Sequence, residues 1–218
     1  MITVLNGRIK SAFFALQGRL ARLGRRRRWE LSLGAGLLLA VVLTARCASF
    51  ARLCDAVRED TLRLHVLANS DSEADQALKL QVRDAVVETA GRLFGQSEDK
   101  SAALQKAAEN LSTLQEAAQD AVYRAGYDYP VQVVVTERYF ATTHYEDFTL
   151  PAGRYDAVQV RIGEAAGRNW FCVLYPALCL STCSASYEQP QENDLVAGDH
   201  IVRFAALEWW QRLTGQDE

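Results

Sequence analysis

Apolar and polar residues along this chain follow two periods, and the change from one to the other divides the chain into elements. Arg63 to Ala68 alternates, with Leu62, Leu64, Val66 and Ala68 on one face, which predicts a short strand. Asn69-Ser70-Asp71-Ser72 then stops it. Ser70 with Glu73, or Ser72 with Asp75, has the spacing of a helix-capping pair. From there Leu78, Val82, Ala85, Val86, Thr89 and Leu93 recur at helical spacing up to Gly95. After a polar turn over Gln96 to Lys100, a second stripe (Leu104, Ala107, Leu111, Leu114, Ala118, Ala121, Val122) runs to Gly126, which predicts one further helix. Two helices joined by a short turn form an αα-hairpin.

Beyond Pro130 the period drops to two. Val131 to Val135 and Tyr139 to Tyr145 read as strands, Pro151-Ala152-Gly153 as a turn, and Tyr155 to Ile162 as a third alternating strand. Gly163 to Gly167 turns the chain into Trp170–Tyr175, an apolar run expected for a central strand buried on both faces. A loop-like stretch follows, and Ile201 to Leu213 predicts a terminal helix. The expected fold is α+β: a two-layer sandwich of an antiparallel sheet packed against the αα-hairpin. No repeat or low-complexity tract interrupts it.

The first 54 residues follow a different logic. Leu31 to Ala45 carries no charge, and Arg25 to Arg28 sits just before it, two residues upstream. This is the order of an export signal or anchor: a basic region, an apolar region, then small residues at Ser49 and Ala51 that offer cleavage after Ala51. Fifteen uncharged residues fall short of the roughly 20 that span a bilayer. The arginines set the orientation, with everything after Arg46 outside the cytoplasm. Ile9, Phe13, Leu16, Leu20 and Leu23, with basic residues between them, predict an amphipathic helix on the inner membrane face. The organisation expected is residues 1–30 as a basic cytoplasmic region, 31–51 as signal peptide or membrane anchor, and 55–218 as the exported domain.

Charge sharpens this division. Ten basic residues and a single acid, Glu30, precede residue 55, leaving 14 basic and 26 acidic residues in the remainder. A domain that acidic repels nucleic acid, so none is expected as partner.

Candidate chemistry is sparse. The densest polar group runs from His65 through Asn69, Ser70, Asp71 and Ser72 to Asp75 and Gln76. It lacks the alternate carboxylates and the glycine of a calcium loop, so Ser70, Ser72 and Asp75 read as a helix start. His65, Asn69 and Asp71 are candidates for an exposed contact surface, together with Asn169 and Trp170 after the Gly163–Gly167 turn. Cys172 and Cys179 are candidates for a disulfide in an exported domain, with a zinc site from Cys172, Cys179, Cys183 and a histidine, or a buried free Cys172, as rivals. His65, His144 and His200 sit in no nucleophile-elbow or cysteine-protease signature. No catalytic residue, metal or cofactor is expected, and a secreted hydrolase of envelope polymers is the enzymatic alternative.

Three blocks together carry a resemblance to a known family: RLHVLANSDSEADQALKLQVRDAV at 63–86, GYDYPVQV at 126–133 and FTLPAGRYDAVQVRIGEAAGRNWFCVLYPALC at 148–179. In order and spacing they resemble the stage II sporulation protein R family of endospore-forming bacteria. The sequence departs from the family pattern at Phe171, where a second tryptophan is usual, and at Ala141, where a proline is usual. The resemblance implies a protein exported across the forespore membrane into the space facing the mother cell. There it would activate, without chemistry of its own, the membrane-embedded peptidase that processes the sigma-E precursor. Its expected partners are that peptidase and, through the N-terminal segment, the membrane.

Overall fold

Strand β1, Leu62–Leu67, is the axis of the domain, because its two faces serve different cores. In the computed structural model, which describes residues 24–145, 148–176, 187, 190–197 and 209, it lies inside a four-stranded sheet. Preceding it is α1, Arg25–Glu59. After it come α2 (Glu73–Phe94), α3 (Lys100–Glu109), α4 (Leu111–Arg124), β2 (Val131–Phe140), β3 (Thr143–His144), β4 (Thr149–Leu150), β5 (Gly153–Ile162), β6 (Asn169–Tyr175) and α5 (Pro190–Ala197). The chain divides into two compact units, Met1–Phe50 and Ala51–Glu218.

In the first unit, α1 is the one helix among the described residues that is long and apolar enough to cross a membrane. Leu33, Leu37, Leu38 and Leu39 all lie exposed on it. The amphipathic stripe expected from Ile9 to Leu23 lies outside the described residues.

In the second unit the sheet order is β2-β5-β1-β6, so β6 is an edge strand with an exposed start, which corrects the central, doubly buried strand expected there. The sheet is mixed, which corrects the antiparallel expectation. β1 and β5 run parallel, with Leu64 opposite Val158 and Val66 opposite Val160, whereas β1–β6 and β2–β5 are antiparallel. Alternation reports which face a side chain takes and is blind to strand direction, so the parallel pair left no mark in the sequence pattern.

One sheet face, with Leu62, Leu64, Val66, Val158, Val160 and Ile162, packs against Leu78, Val82 and Val86 of α2 and Leu114, Ala118 and Val122 of α4. Each fully buried aliphatic side chain contributes about 1.5–3 kcal/mol, so this face holds the bulk of the stabilisation. The odd-numbered residues of β1 point the other way, where Phe140, Tyr155, Ala157 and Phe171 form a second cluster. Arg63 is fully buried there, its guanidinium 4.0 Å from the centre of the Phe140 ring. Its Nη2 donates to Thr143 Oγ1 and to the Tyr145 hydroxyl, both at 3.1 Å, which ties the β3–β4 ribbon to β1.

Several boundaries differ from the expected ones. The second helical stripe is two helices, because Asn110 leaves helical geometry (φ −113°, ψ 23°) and its side chain donates to the Lys106 carbonyl at 2.8 Å. Asparagine offers the backbone that alternative to the helical ladder. The strands expected at Val131–Val135 and Tyr139–Tyr145 are one continuous β2 to Phe140, followed by the short β3. Helix α5 starts at Pro190, in a stretch read as loop, with proline at the first helical position where its missing N–H costs nothing. The predicted terminal helix Ile201–Leu213 lies outside the described residues apart from Trp209, which is helical and exposed.

Strand β2 is an edge of the sheet, and α4 shields its start. Gln119 Oε1 accepts from the Val131 N–H and its Nε2 donates to the Tyr129 carbonyl, both at 2.9 Å, while Gln115 Oε1 accepts from the Val133 N–H. The glutamines act as a surrogate neighbouring strand. Gln119→Leu strips partners from two backbone groups and is expected to cost about 1–3 kcal/mol in urea unfolding. An unchanged midpoint would contradict this role.

Candidate functional site

The polar cluster after β1 and the turn after β5 lie against each other as a clasp. The carbonyls of Ala68 and Asn69 accept from the N–H groups of Gly167 (3.0 Å) and Ala166 (3.2 Å). Asn69 Oδ1 accepts from the Glu164 N–H at 3.0 Å, and Asp71 Oδ1 accepts from the Arg168 N–H at 2.6 Å. Gly167 comes so close to the Ser70 backbone that a Cβ there has no room. Gly163, at φ +57°, leaves the space that the Asn69 side chain fills. These are two positions where only glycine fits, one for conformation and space and one for space alone.

Asp75 anchors the clasp to α2. Ser72 caps the helix by accepting from the Asp75 N–H at 3.1 Å. The buried Asp75 carboxylate accepts from Ser70 Oγ at 2.5 Å and from Asn69 Nδ2 at 2.9 Å. Hydroxyl and amide donors, Ser70 first, then Asn69, Ser72 and Tyr129, hold its carboxyl below the usual carboxylate range against the opposing effect of burial. Gln76 Nε2 donates to the Ser70 carbonyl at 2.9 Å, and Lys79 Nζ donates to the Arg168 carbonyl at 3.1 Å.

The clasp fixes where β6 begins. Asn169 pairs with Leu67 and Trp170 with Val66 in the sheet, and both side chains are exposed. Trp170 remains 39% exposed although the Arg83 guanidinium lies 4.6 Å from the centre of its ring. Lys79, Arg83 and Arg168 converge here, and desolvation together with the neighbouring Arg168 and Arg83 lowers the Lys79 pKa, opposed by Asp71. Arg83 is ion-paired with Asp84 at 2.6 Å and Arg168 with Asp71 at 3.6 Å, so an aromatic spot of paired charges stands at this end of the sheet.

Four of the five candidate contact residues, Asn69, Asp71, Asn169 and Trp170, are therefore brought to one end of the sheet. Asn69 and Asp71 use their side chains to hold the opposite turn, and Asn169 and Trp170 are what that end presents. His65 is not among them. It lies on the other sheet face, 5% exposed, 5.0 Å centre to centre from Phe171 and 5.8 Å from Phe140. Gln159 Nε2 donates to its Nδ1 at 3.0 Å. Desolvation, then Arg138 and Arg63, push its pKa down to about 4, so the ring stays neutral. Strand alternation alone puts residue 65 opposite to Leu64 and Val66; the sequence left open that this second face is also buried. Arg83 was missed, and its one sequence signal is its place one turn after Lys79 on α2.

Ser70 and Ser72 serve Asp75 and the helix start, and His65 bonds Gln159 across the sheet, so no hydroxyl is paired with an imidazole in this cluster. Among the described residues no three His, Cys, Asp or Glu side chains are grouped to hold a metal ion. Cys172 is disulfide-bonded. Cys179 and Cys183 lie outside the described residues, as does His200. Cys47 and Cys54 are free thiols, and burial pushes that of Cys54 up to about 12.

An α+β domain preceded in the chain by an apolar N-terminal helix is the pattern compatible with a secreted or membrane-anchored domain. The particular family follows from comparison with known proteins. The family model described as stage II sporulation protein R matches residues 58–185, and the chain belongs to that family. Over 138 residues it is 30% identical to the stage II sporulation protein R of Bacillus subtilis (strain 168), covering 63% of this chain and 62% of that protein. The chain thus matches under two thirds of that relative's length. No solved structure matches.

Protonation supplies a test of the buried face. The folded His65 titrates near 4 and an unfolded histidine near 6.5, so the unfolded state binds the extra proton first. Stability is full above about 6.5 and falls as pH drops toward 4. His65→Gln is expected to flatten the melting temperature over that window while leaving the carboxylate-driven fall below it. An unchanged slope between pH 6.5 and 4 would contradict the buried neutral ring.

Proposed function

We propose that this protein is a secreted signal of endospore formation that works by binding. Made in the forespore and exported across its membrane, it activates the mother cell's membrane-embedded peptidase, which processes the sigma-E precursor. The observation that carries this reading is the family match, which spans the whole clasp from β1 to β6. Four arginines ahead of an exposed apolar helix agree with export in the required direction.

The peptidase is engaged through Asn169 and Trp170, with Arg83 and Arg168 beside them. A tryptophan under a guanidinium is the kind of anchor that dominates protein interfaces, and the charge pairs around it, Arg83 with Asp84 and Arg168 with Asp71, set which partner groups can face it. Asn69 and Asp71 contribute by holding this surface in place. Cys172 pairs with Cys179, which clamps the chain just beyond β6.

Co-expression with the cognate peptidase and the sigma-E precursor in a non-sporulating host tests this by immunoblot of precursor cleavage. Trp170→Ala and Arg83→Ala are each expected to lower cleavage about tenfold or more, the scale of one lost anchor, with the melting temperature little changed. Asp71→Ala should lower both. Full cleavage by a folded Trp170→Ala, Arg83→Ala double variant would remove this surface from the reading.

A further inference from the structure

We propose that the N-terminal helix is a permanent anchor: the bond after Ala51 is not cut, and the exported domain stays attached to the membrane that it crosses. This rests on the export reading above and decides what that reading leaves open, a diffusible signal or a tethered one.

Signal peptidases take the residues around the scissile bond in extended form, as proteins that bind peptides by strand addition do. Here those residues are helical. Helix α1 runs unbroken from Arg25 to Glu59, through Cys47, Ser49 and Ala51. Neither glycine nor proline occurs between Gly36 and Gly91, so nothing in the sequence ends the helix after the apolar run. The hydroxyl of Ser49, three residues before the bond in question, donates to the Ala45 carbonyl at 2.9 Å. Thr44 does the same to Ala40 at 2.7 Å. Arg46 and Arg52 place charge on both sides of the site.

The far side of the bond is part of the folded domain. Ala51 begins the second compact unit, and Cys54 and Val57 are both fully buried. Arg58 Nη1 donates to the Ala152 carbonyl at 2.8 Å, and its stem runs where any side chain at position 153 would stand. Thr61 closes the helix by donating to the Val57 carbonyl at 2.5 Å. Drawing the chain after Ala51 into an extended shape would pull Cys54 and Val57 out of their core.

Order of events does not rescue cleavage. Inside lipid the run Leu31 to Ala45 must be helical, because no water is there to satisfy its backbone. Extending an existing helix adds one hydrogen bond per residue fixed and takes about nanoseconds per residue, so the helix reaches Ala51 before the domain has folded. Arg28 and Arg46 at the ends of the run, with Trp29 beside the first, lengthen the span by reaching to the interfaces.

The full chain with a C-terminal epitope tag, expressed in vegetative cells of a Gram-positive host, where the exported side faces the medium, tests this by fractionation, blotting and protease treatment of intact protoplasts. A full-length band in the membrane fraction, resistant to carbonate extraction and with its tag digested from outside, is expected. A soluble product beginning at Arg52 would overturn the proposal. A full-length band whose tag resists external protease would instead break the export reading, and the anchor assignment with it. Cys47→Pro, which breaks the helix upstream of the site, should convert the membrane band into the shorter soluble product. A folded Cys47→Pro variant that also remains whole would overturn the helix as the reason for protection.

Discussion

The carboxylate of Asp75 is the interaction on which this domain's working end depends. It is buried, charged and satisfied by Ser70 and Asn69, so the chain that leaves β1 has one way to enter α2. Asn69, held by its amide, then turns its carbonyl-side oxygen to the 163–168 turn. Removing one donor would leave a buried charge short of partners, which costs more than the bond itself contributes. Contacts between segments nearly a hundred residues apart are thereby fixed by a few short side chains, and Trp170 is presented as a consequence.

The two faces of β1 explain why polar chemistry in this domain is structural. The even-numbered residues enter the apolar core under the helices, and the odd-numbered pair, Arg63 and His65, enters an aromatic one. Arg63 over Phe140 ties the β3–β4 ribbon to the sheet, and His65 is held neutral against Gln159. Both would look like active-site residues by composition. Their surroundings assign them to packing, whereas Arg168 and Trp170 stay exposed at the start of β6, with the Arg83 guanidinium against the Trp170 ring.

Much of this was legible in the sequence. Periodicity located β1, α2 and β5, an unbroken apolar run located β6, and Ser72 with Asp75 marked the start of α2. The turn at Gly163–Gly167 pointed to Asn169 and Trp170. Periodicity has no access to strand direction, so the parallel β1–β5 pair was missed. It also has no access to a single side chain taking a backbone partner, so Asn110 divided a helix that the apolar stripe carried straight through. Asn69 and Asp71 looked like surface because loop polar residues usually are. Asn69 turns inward because Gly163 leaves room for its side chain, whereas Asp71 stays exposed while accepting from the Arg168 N–H, and Arg83 became part of the site only when Trp170 was folded onto α2.

The proposed function requires this domain to act from outside the membrane by binding. Following sigma-E precursor cleavage by immunoblot in a host carrying the cognate peptidase, with either the whole chain or a form lacking residues 1–51, tests it most directly. Cleavage is expected with the whole chain and none with the truncated form, once that form is shown to be folded in the cytoplasm. Equal cleavage by both, or none by a whole chain shown to be folded and exported, would contradict it.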